Sequence, residues 1–552
     1  MNETTTNPIG RAEVLAAAER LRRYRTAKQS FDARVCEETL WWQSRHGSHA
    51  SPAVGIEHRS GKPATSAWLF SSVSHKHADL CDAMPTCSVL PREPGDEVAA
   101  EMLTKILPVI ADRCELDRIY AANAWSKLKH GVAAYGVFWN PALENGLGDV
   151  DVRRVDVLNL FWAPHVESIQ ESPHLFLVAL EDTDVLLSRY PALASRREAA
   201  DGDATDALWE SGGSYLFGSA DTAGKSAVVD WYYKSTRPDG RTVVHYAKFT
   251  GETLLYASEN DPALAERGWY DHGQYPFVLD VMYPEEGSAV GYGLIAVGRQ
   301  PQAYVDELDG HLLEYANWAS RVRYWAKRSL GVNEKDFLDP NKRIVEVEGD
   351  IDEEKLRQIT TAPMDGALAE LRRMKVDELK ETTGSRDVST GGSVGGVTAA
   401  AAITALQEAG HKTSRDCIEG SYRAYVQIIC QIMELIRQFY DTARTFRIAG
   451  DGAGKPYAYV RYEAATVAER EVGKDGSGEP LYYRPVFDIE VRAEQQSPHS
   501  RAEHNELMLR LFEAGMLDEG RETAALRALS AMQFDGVESL CSSLRGDREV
   551  TV

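Results

Sequence analysis

The stretch STGGSVGGVTAAAAI, residues 389–403, is a glycine-rich loop that runs directly into an alanine-rich helical pattern. Upstream of it, Leu368, Leu371 and Leu379 recur on one face of an amphipathic helix. Downstream, a helical pattern extends from residue 398 to about residue 443 and is the longest in the chain. The loop therefore connects two helices, and the polar TTGSRDVST precedes it where many enzyme loops have a buried strand.

Two catalytic templates match the glycines of this loop. Gly391 and Gly396 have the GxxxxG spacing of a phosphate-binding loop, but Val397 stands where such a loop needs a lysine before Thr398. That lysine neutralises phosphate charge, and a Val- and Ile-rich strand is expected before the glycines. The spacing alone is a weak indication of nucleotide binding.

The second template is the GxSxG of a nucleophile elbow, with Ser393 as its serine and Gly395 after it. It also requires a preceding strand, an acid and a later histidine. Only His411, His499 and His504 follow the serine. An acidic hydrolase or an NTPase that uses loop 391–398 is retained as the alternative hypothesis, and a mobile non-catalytic loop is the favoured one.

Composition limits the class of protein. The 552 residues are 43% hydrophobic and 26% charged, which is typical of a folded chain with several domains. No N-terminal signal peptide and no membrane-spanning run are expected. Seven scattered cysteines without a CxxC pair indicate free thiols in a reducing compartment. The net charge of −23 disfavours tight, sequence-reading binding of nucleic acid.

No metal or cofactor is predicted. Several histidines and cysteines fall within a short span, but without the tight pairs typical of zinc sites: His46, His49, His75, His77, Cys81 and Cys87. The run EVEGDIDEE, which starts at Glu346, has six acids and no base, yet it lacks the ligand order of a calcium loop. We interpret it as a solvated acidic face.

The periodicity along the chain predicts an α+β fold. Residues from about 10 to 125 have helical spacing, and two antiparallel meanders follow, the first from GVAAYGVFWN to DVDVRRVDVL. A helix with an apolar stripe then runs from Tyr304 through Trp325 and ends near Ser329. After it come a short module with a strand in RIVEVEG, a second amphipathic helix, the glycine loop, the long helix, a β segment and a helical end.

This order of parts resembles the portal proteins of tailed bacteriophages. The stretches that carry the resemblance include AWLFSSVSHKHADLCDAMPTCSVLPREPGD, LKHGVAAYGVFWNP, EEGSAVGYGLIAVGRQPQAYVDELDGHLLEYA and TAAAAITALQEAGHKTSRD. The likeness covers roughly residues 65–515 and is one of pattern rather than of a single diagnostic motif.

The resemblance implies a portal fold in eight segments. Residues 1–289 form a wing of helices and antiparallel strands, 290–330 a stem helix, 331–363 a small α/β clip, and 364–382 the second stem helix. Residues 383–397 form a tunnel loop, 398–445 a long kinked wing helix, 446–496 a wing β segment, and 497–552 a short helical crown.

The resemblance also implies site residues, none of them catalytic. The tunnel loop faces DNA with Arg386, Ser389, Thr390, Gly391, Gly392, Ser393, Gly395 and Gly396. The stem or channel carries Arg321, Arg323, Lys327, Arg328, Arg372 and Lys375. The clip contacts an adaptor or a neighbouring subunit through Phe337, Leu338, Ile344, Val345, Glu346 and Glu348.

The implied assembly is a homo-oligomeric ring of about twelve subunits at one vertex of the virion capsid, built in the host cytoplasm. Double-stranded DNA would pass through it without sequence-specific contacts. Its other expected partners are terminase, a head–tail adaptor, and the major capsid and scaffolding proteins, with no membrane.

Overall fold

The computed structural model describes most of the chain. The described residues are 9–44, 65–191, 193, 224–237, 240–320, 323–326, 356–359, 366–384, 412–449, 457–474, 480–493, 498–515, 525, 528–529 and 532. They combine helices with antiparallel sheets, which confirms the α+β prediction. The chain divides into two compact units, the first made of residues 1–39, 73–296 and 384–552 and the second of residues 40–72 and 297–383.

The N-terminal third contains four helices: α1 (Arg11–Trp42), α2 (Trp68–Asp82), α3 (Glu97–Arg113) and α4 (Leu116–His130). The prediction of helix throughout residues 10–125 is wrong at β1 (Pro85–Pro91). This strand pairs along its whole length with β18 (Phe487–Ala493), near the other end of the chain. Cys87 and Val89 are buried by that distant pairing, which local periodicity cannot reveal.

The predicted hairpin is confirmed. The strand β2 (Val132–Asn140) pairs with β3 (Asp149–Val155) on one side and with β9 (Phe277–Val281) on the other. A Cβ at Gly148 would lie 2.3 Å from the Trp139 ring, and the residue has φ +76°, so the turn requires glycine for two reasons. The strand β2 is almost wholly buried, which places this sheet at the centre of the first unit.

A second sheet has five antiparallel strands in sequence order: β4 (Leu160–Trp162), β5 (His174–Asp182), β6 (Lys225–Thr236), β7 (Thr242–Thr250) and β8 (Thr253–Ala257). The predicted meander therefore forms as its last three strands. A seven-residue helix, α5 (Thr183–Arg189), follows β5. One face of α1 packs on this sheet through Val14, Ala17 and Leu21, against Phe176 and Trp231 among others.

The short strands β10 (Tyr283–Pro284) and β11 (Gly291–Tyr292) pair before α6 (Leu294–Ser320). The predicted extension of this helix to Ser329 is wrong. The helix ends at Ser320, and β12 (Arg323–Ala326) pairs antiparallel with β13 (Leu356–Ile359). The RYWA segment is rich in aromatic residues, which favour strands once a partner is present. The strand predicted at RIVEVEG lies outside the described residues.

The next helix is α7 (Gly366–Thr382), and α8 (Lys412–Phe439) follows the glycine loop. Five apolar residues of α8, at steps of four and three, are buried in the main core: Tyr425, Ile428, Ile429, Ile432 and Ile436. This core also receives Leu103 and Ile106 of α3 and Tyr135 of β2. The long helix therefore joins the N-terminal and C-terminal parts of the first unit.

The C-terminal part contains β14 (Arg444–Ala449) paired with β15 (Tyr457–Tyr462), one helical turn at Ala464–Val467, and β16 (Arg470–Lys474) paired with β17 (Pro480–Tyr483). The helix Pro498–Glu513 follows β18, as the helical pattern of the chain end predicts. The β segment after the long helix is thus confirmed.

Candidate functional site

The helices α6 and α7 of the second unit form an antiparallel pair. Asp309 of α6 contacts Arg372 of α7, while Tyr304, earlier on α6, contacts Lys375, later on α7. From one contact to the other, the residue number rises from 304 to 309 on α6 and falls from 375 to 372 on α7, so the helices run antiparallel. At the far end, the strands β12 and β13 continue the same antiparallel course.

The Arg372 guanidinium binds the Asp309 carboxylate in a two-pronged contact. Its Nε donates to Oδ1, and its Nη2 donates to Oδ2 at 3.1 Å. The hydrogen bonds to Asp309 raise the pKa of Arg372, so its charge is fixed at any ordinary pH. Two parallel N–H···O bonds fix direction as well as distance, which makes this contact a register marker for the helix pair.

The neighbouring Lys375 has two partners. Its Nζ donates to the Glu378 carboxylate at 2.6 Å and lies 5.2 Å from the centre of the Tyr304 ring. Both cations predicted for the second stem helix are therefore engaged within their own unit. An acid beside each of them reduces the positive potential around these two side chains.

Several apolar side chains of α6 and α7 are solvent-exposed in the single chain. Leu313 is 63% exposed and Met374 59%, and three others are also exposed: Tyr304, Leu368 and Leu371. The predicted stripe on α6 is only partly buried, because Leu308, Leu312 and Tyr315 are half-buried. Large contiguous patches of exposed apolar side chains, unlike single ones, are typical of surfaces that another chain covers.

A polar cluster fixes α6 to the start of α2 within the second unit. Asp306 Oδ1 accepts hydrogen bonds from the backbone N of Ser66 at 2.8 Å, from its hydroxyl at 2.9 Å and from Gln302 Nε2 at 2.9 Å. Gln302 Oε1 accepts from the backbone N of Leu69. The bond from Leu69 satisfies one of the free N–H groups in the first turn of α2.

In the first unit, a buried ion pair holds the N-terminal half of α8. Lys127 of α4 is fully buried, and its Nζ lies 2.6 Å from Asp280 Oδ1 of β9, where the carboxylate side chain is 3% exposed. The same Nζ donates to the Cys417 carbonyl at 2.9 Å and to the Ser421 hydroxyl at 2.7 Å, and that hydroxyl donates to Asp280 Oδ2. Lys127 Nζ thus has two hydrogen-bond acceptors and one ionic partner.

Gly420 contributes to the same contact. A Cβ there would lie 3.3 Å from Lys127 Nζ, so the missing side chain leaves room for the ammonium group. Gly420 lies inside the continuous helix α8. The missing side chain at Gly420 lets α8 approach the buried Lys127 closely.

A second buried lysine lies one turn before this cluster. Lys76 Nζ of α2 donates to the Ser414 hydroxyl at 2.7 Å, and Ser414 donates to Asp79 Oδ2 at 2.6 Å. Burial lowers the pKa of Lys76, and Asp79 partly offsets this effect. Sequence reasoning missed both lysines because each one falls on a regular amphipathic helix, where lysine usually points to solvent.

The thiols of the first unit are unsuited to nucleophilic chemistry. Burial raises the pKa of Cys87, Cys114 and Cys417 to about 11, so each one is a neutral thiol at pH 7. Cys81 Sγ lies 3.6 Å from His77 Nε2, and burial raises the pKa of this thiol too. Among the described residues, no three His, Cys, Asp or Glu side chains form a group that could hold a metal ion.

The structure describes only a few of the predicted site residues. Arg372 and Lys375 lie on the helix pair, and Arg323 begins strand β12. The remaining stem residues Arg321, Lys327 and Arg328 lie outside the described residues. The same is true of the glycine loop from Arg386 to Gly396. It is also true of all six clip residues: Phe337, Leu338, Ile344, Val345, Glu346 and Glu348. The Ser393 and Gly391 hypotheses for catalysis also fall there and remain untested.

The comparison with protein families decides the classification. The phage P22-like portal protein family matches residues 81–549, which is most of the chain. The chain belongs to this family. Membership confirms the resemblance found in the sequence. It also indicates that the chain acts as a portal protein of a bacteriophage, at the junction of head and tail.

The portal family is structural rather than catalytic in general, and membership implies a ring oligomer at the portal vertex of a virion. One similar solved structure is the neck of an empty GTA particle computed with C6 symmetry. It covers 87% of this chain and 94% of its own chain, at 9% identity and a TM-score of 0.40. Among curated proteins no match was found. None of the described helices of this portal protein is long and apolar enough to cross a bilayer.

Proposed function

We propose that this portal protein assembles as a ring of about twelve copies through which double-stranded DNA enters the capsid and leaves it. The observation that carries the proposal, beyond family membership, is the antiparallel pair α6 and α7, connected through strands β12 and β13. Two antiparallel helices that are connected at one end can line a channel when copies are arranged around an axis.

The charges of this helix pair favour the passage of DNA over tight binding of its phosphates. Arg372 and Lys375 are each paired with an acid, and the chain as a whole has a net charge of −23. Each unpaired cation that binds a phosphate adds affinity and therefore resistance to sliding. A channel lined by neutralised cations lets DNA pass.

The exposed apolar residues of the helix pair are the proposed contacts between neighbouring subunits. A ring made by rotation uses two different faces of each subunit, so apolar side chains are needed on more than one side of a stem helix. Leu313 and Tyr304 of α6 and Met374 of α7 are exposed in the isolated chain and would be covered in the ring.

The remaining assignments complete the proposal. Residues 383–397 act as a tunnel loop against DNA, with Arg386 and Ser389 to Gly396 as its contacts. The clip, residues 331–363, contacts the head–tail adaptor or a neighbouring subunit through Phe337, Leu338, Ile344, Val345, Glu346 and Glu348. Terminase and the major capsid and scaffolding proteins are the further partners of the ring. Assembly takes place in the host cytoplasm.

Mass measurement of the purified full-length chain tests this proposal. A closed ring near twelve times 61.2 kDa supports it. A monomer or dimer with esterase or NTPase activity that is lost in Ser393→Ala or Thr398→Ala would contradict it and favour the hydrolase or NTPase alternative.

A further inference from the structure

The hairpin of β14 and β15 has one buried face and one exposed face. Phe446 and Tyr462 are 1% and 0% exposed, and both belong to the main core of the first unit. Arg444, on the same side of β14 as Phe446, donates hydrogen bonds to the carbonyls of Gly148 and Leu147. The buried face therefore fixes the hairpin to the body of the first unit.

The opposite face is made by residues that pair directly across the hairpin. Arg447 of β14 pairs with Tyr459 of β15. Thr445 pairs with Arg461, and Tyr457 lies on the same side because side chains alternate along a strand. Directly paired residues project from one face, with Cβ atoms about 4.5–5.5 Å apart. All five side chains are exposed. We name this set, Thr445, Arg447, Tyr457, Tyr459 and Arg461, the hairpin face.

Two tyrosines form the aromatic part of the hairpin face. Tyr459 is 65% exposed and Tyr457 is 46% exposed. Their ring centres lie 5.7 Å apart in an edge-to-face arrangement, so the two rings present one contiguous surface. Tyrosine is enriched in protein interfaces, because its rigid side chain buries a large area at a low cost in conformational entropy. The tyrosine pair is therefore typical of a surface that binds another protein.

The charge of the hairpin face is positive, although the chain as a whole is acidic. No ion-pair partner of Arg447 lies among the described residues. Arg461 Nε lies 3.2 Å from Glu463 Oε1, in a pair whose side chains are 69% and 58% exposed, so solvent screens their attraction. A partner that complements this face carries negative charge beside a surface that accepts the tyrosine rings.

Double-stranded DNA fits the hairpin face less well than an acidic protein surface does. Its affinity for proteins comes from several simultaneous phosphate contacts, and this face offers two arginines. Aromatic side chains bind nucleic acid chiefly by stacking on unpaired bases, which a duplex does not expose. An aromatic centre with arginine beside it is instead the composition of protein interfaces.

A neighbouring copy of the chain is the acidic partner that the composition favours. The chain has 84 acidic and 61 basic residues, so every copy carries acid in excess. A ring made by rotation joins two different surfaces of each subunit, so a basic surface of one copy meets a different surface of the next. We propose that the hairpin face binds an acidic surface of the neighbouring copy. This inference rests on the proposed ring, and it adds a charged contact in the first unit to the apolar contacts of α6 and α7 in the second.

Site-specific photo-crosslinking of the full-length protein tests the proposal. Tyr459 is replaced by the photoreactive p-benzoylphenylalanine, and the purified protein is irradiated and separated on a denaturing gel. We expect a covalent dimer of twice 61.2 kDa, with the crosslink in a peptide that contains Asp or Glu. The same replacement at Tyr482 of β17, which is 61% exposed, is the control and should give little dimer.

A charge-reversal variant shows whether the arginines hold the contact. Arg447→Glu together with Arg461→Glu should lower the dimer yield at position 459 by about tenfold or more, because like charges would then face each other. Arg447→Lys together with Arg461→Lys should keep most of the yield, because the charge is retained. The matched control, Arg423→Glu with Arg492→Glu, changes two exposed arginines elsewhere in the first unit and should leave the yield unchanged. Thermal denaturation of each variant checks that its fold is intact.

Native mass of the same samples separates this inference from the proposed function. A ring that gives no dimer at position 459 would overturn the inference and leave the ring intact. A dimer yield that survives charge reversal would also overturn it, as would a crosslinked peptide without acidic residues or a crosslink to added duplex DNA. A charge-dependent dimer without a ring would support the contact between copies and contradict the ring. The absence of both ring and dimer would contradict both proposals.

Discussion

Arg372 on α7 and Asp309 on α6 share two parallel N–H···O contacts, and this pair sets the register of the two helices that we place in the channel wall. The contact is partly buried, with the arginine side chain 33% exposed and the aspartate 19%. Because it joins residues 63 apart in sequence, it acts as a tertiary constraint and not as a local helix contact.

Replacing Arg372 with Gln should loosen the helix pair. Bonds to a charged partner are worth more than neutral ones, but solvent screens a pair that is this exposed, so we expect a loss of about 1 kcal/mol in unfolding free energy. Thermal and urea denaturation of the purified protein measure it. The control is Arg373→Gln, whose partner Glu370 lies on the same helix in an exposed pair, and this change should have little effect. Equal losses of unfolding free energy in the two variants would show that the contact between Arg372 and Asp309 does not set the register of the helices.

Replacing Lys127 with Met should destabilise the first unit strongly. The change leaves Asp280 charged and buried without its partner, and breaking a buried pair costs about 3 to 5 kcal/mol. Adding Asp280→Asn should recover part of the loss, because the uncompensated charge is then removed. Urea denaturation of the two single variants and the double variant forms the required cycle. If the losses of unfolding free energy in the two single variants add up in the double variant, Lys127 and Asp280 do not stabilise the fold through their mutual interaction.

Acid should destabilise the first unit through its buried histidines. Burial lowers the pKa of His272 to about 4, and burial followed by the charge of Arg20 lowers the pKa of His174 to about 4. The unfolded chain, with a histidine pKa near 6.5, then binds more protons than the folded one, so stability rises with pH in this window. The stabilising contribution is present above about pH 6.5 and is lost as the pH falls towards 4.

Urea midpoints at pH 7.5, 6, 5 and 4.5 measure this pH dependence. His272→Gln should make the profile flatter, because it removes one of the groups that gains a proton on unfolding. His311→Gln, at an exposed histidine of α6, serves as the control for the substitution itself. A profile that is equally steep in His272→Gln would exclude this histidine as a cause.

Deleting residues 391–396 should impair the packaging or retention of DNA and leave ring assembly intact. The glycines suit a loop that changes shape between subunits whose contacts with helical DNA differ. We expect the variant to form rings of wild-type mass and to package or retain less DNA in an assembly assay. A variant that fails to form rings would count against a tunnel loop and in favour of a structural role for this segment.

The sequence was sufficient for features that depend on local periodicity. Alternating strands and turn residues predict the β2–β3 hairpin and the β6–β8 meander, and the steps of four and three predict α8. It failed where a distant partner decides the structure. The strand β1 exists because β18 pairs with it, and α6 ends early where Arg323–Ala326 can pair with Leu356–Ile359.

The candidate site was predictable to a smaller extent. The resemblance to portal proteins implies that Arg372 lies on a stem helix, but its partner Asp309 could not be inferred without the register between the two helices. The buried lysines Lys76 and Lys127 had no sequence signal, since burial of a charge follows from the packing of three elements around it. Periodicity gave the order of the segments, and the family resemblance supplied the role expected of each one.

Single-particle electron microscopy of the purified full-length protein shows directly whether the chain forms a channel. We expect a closed ring with a central channel, in which α6 and α7 of each subunit form the wall and the segment between α7 and α8 points towards the axis. A monomeric particle, or a ring in which α6 and α7 lie on the outer surface, would contradict it.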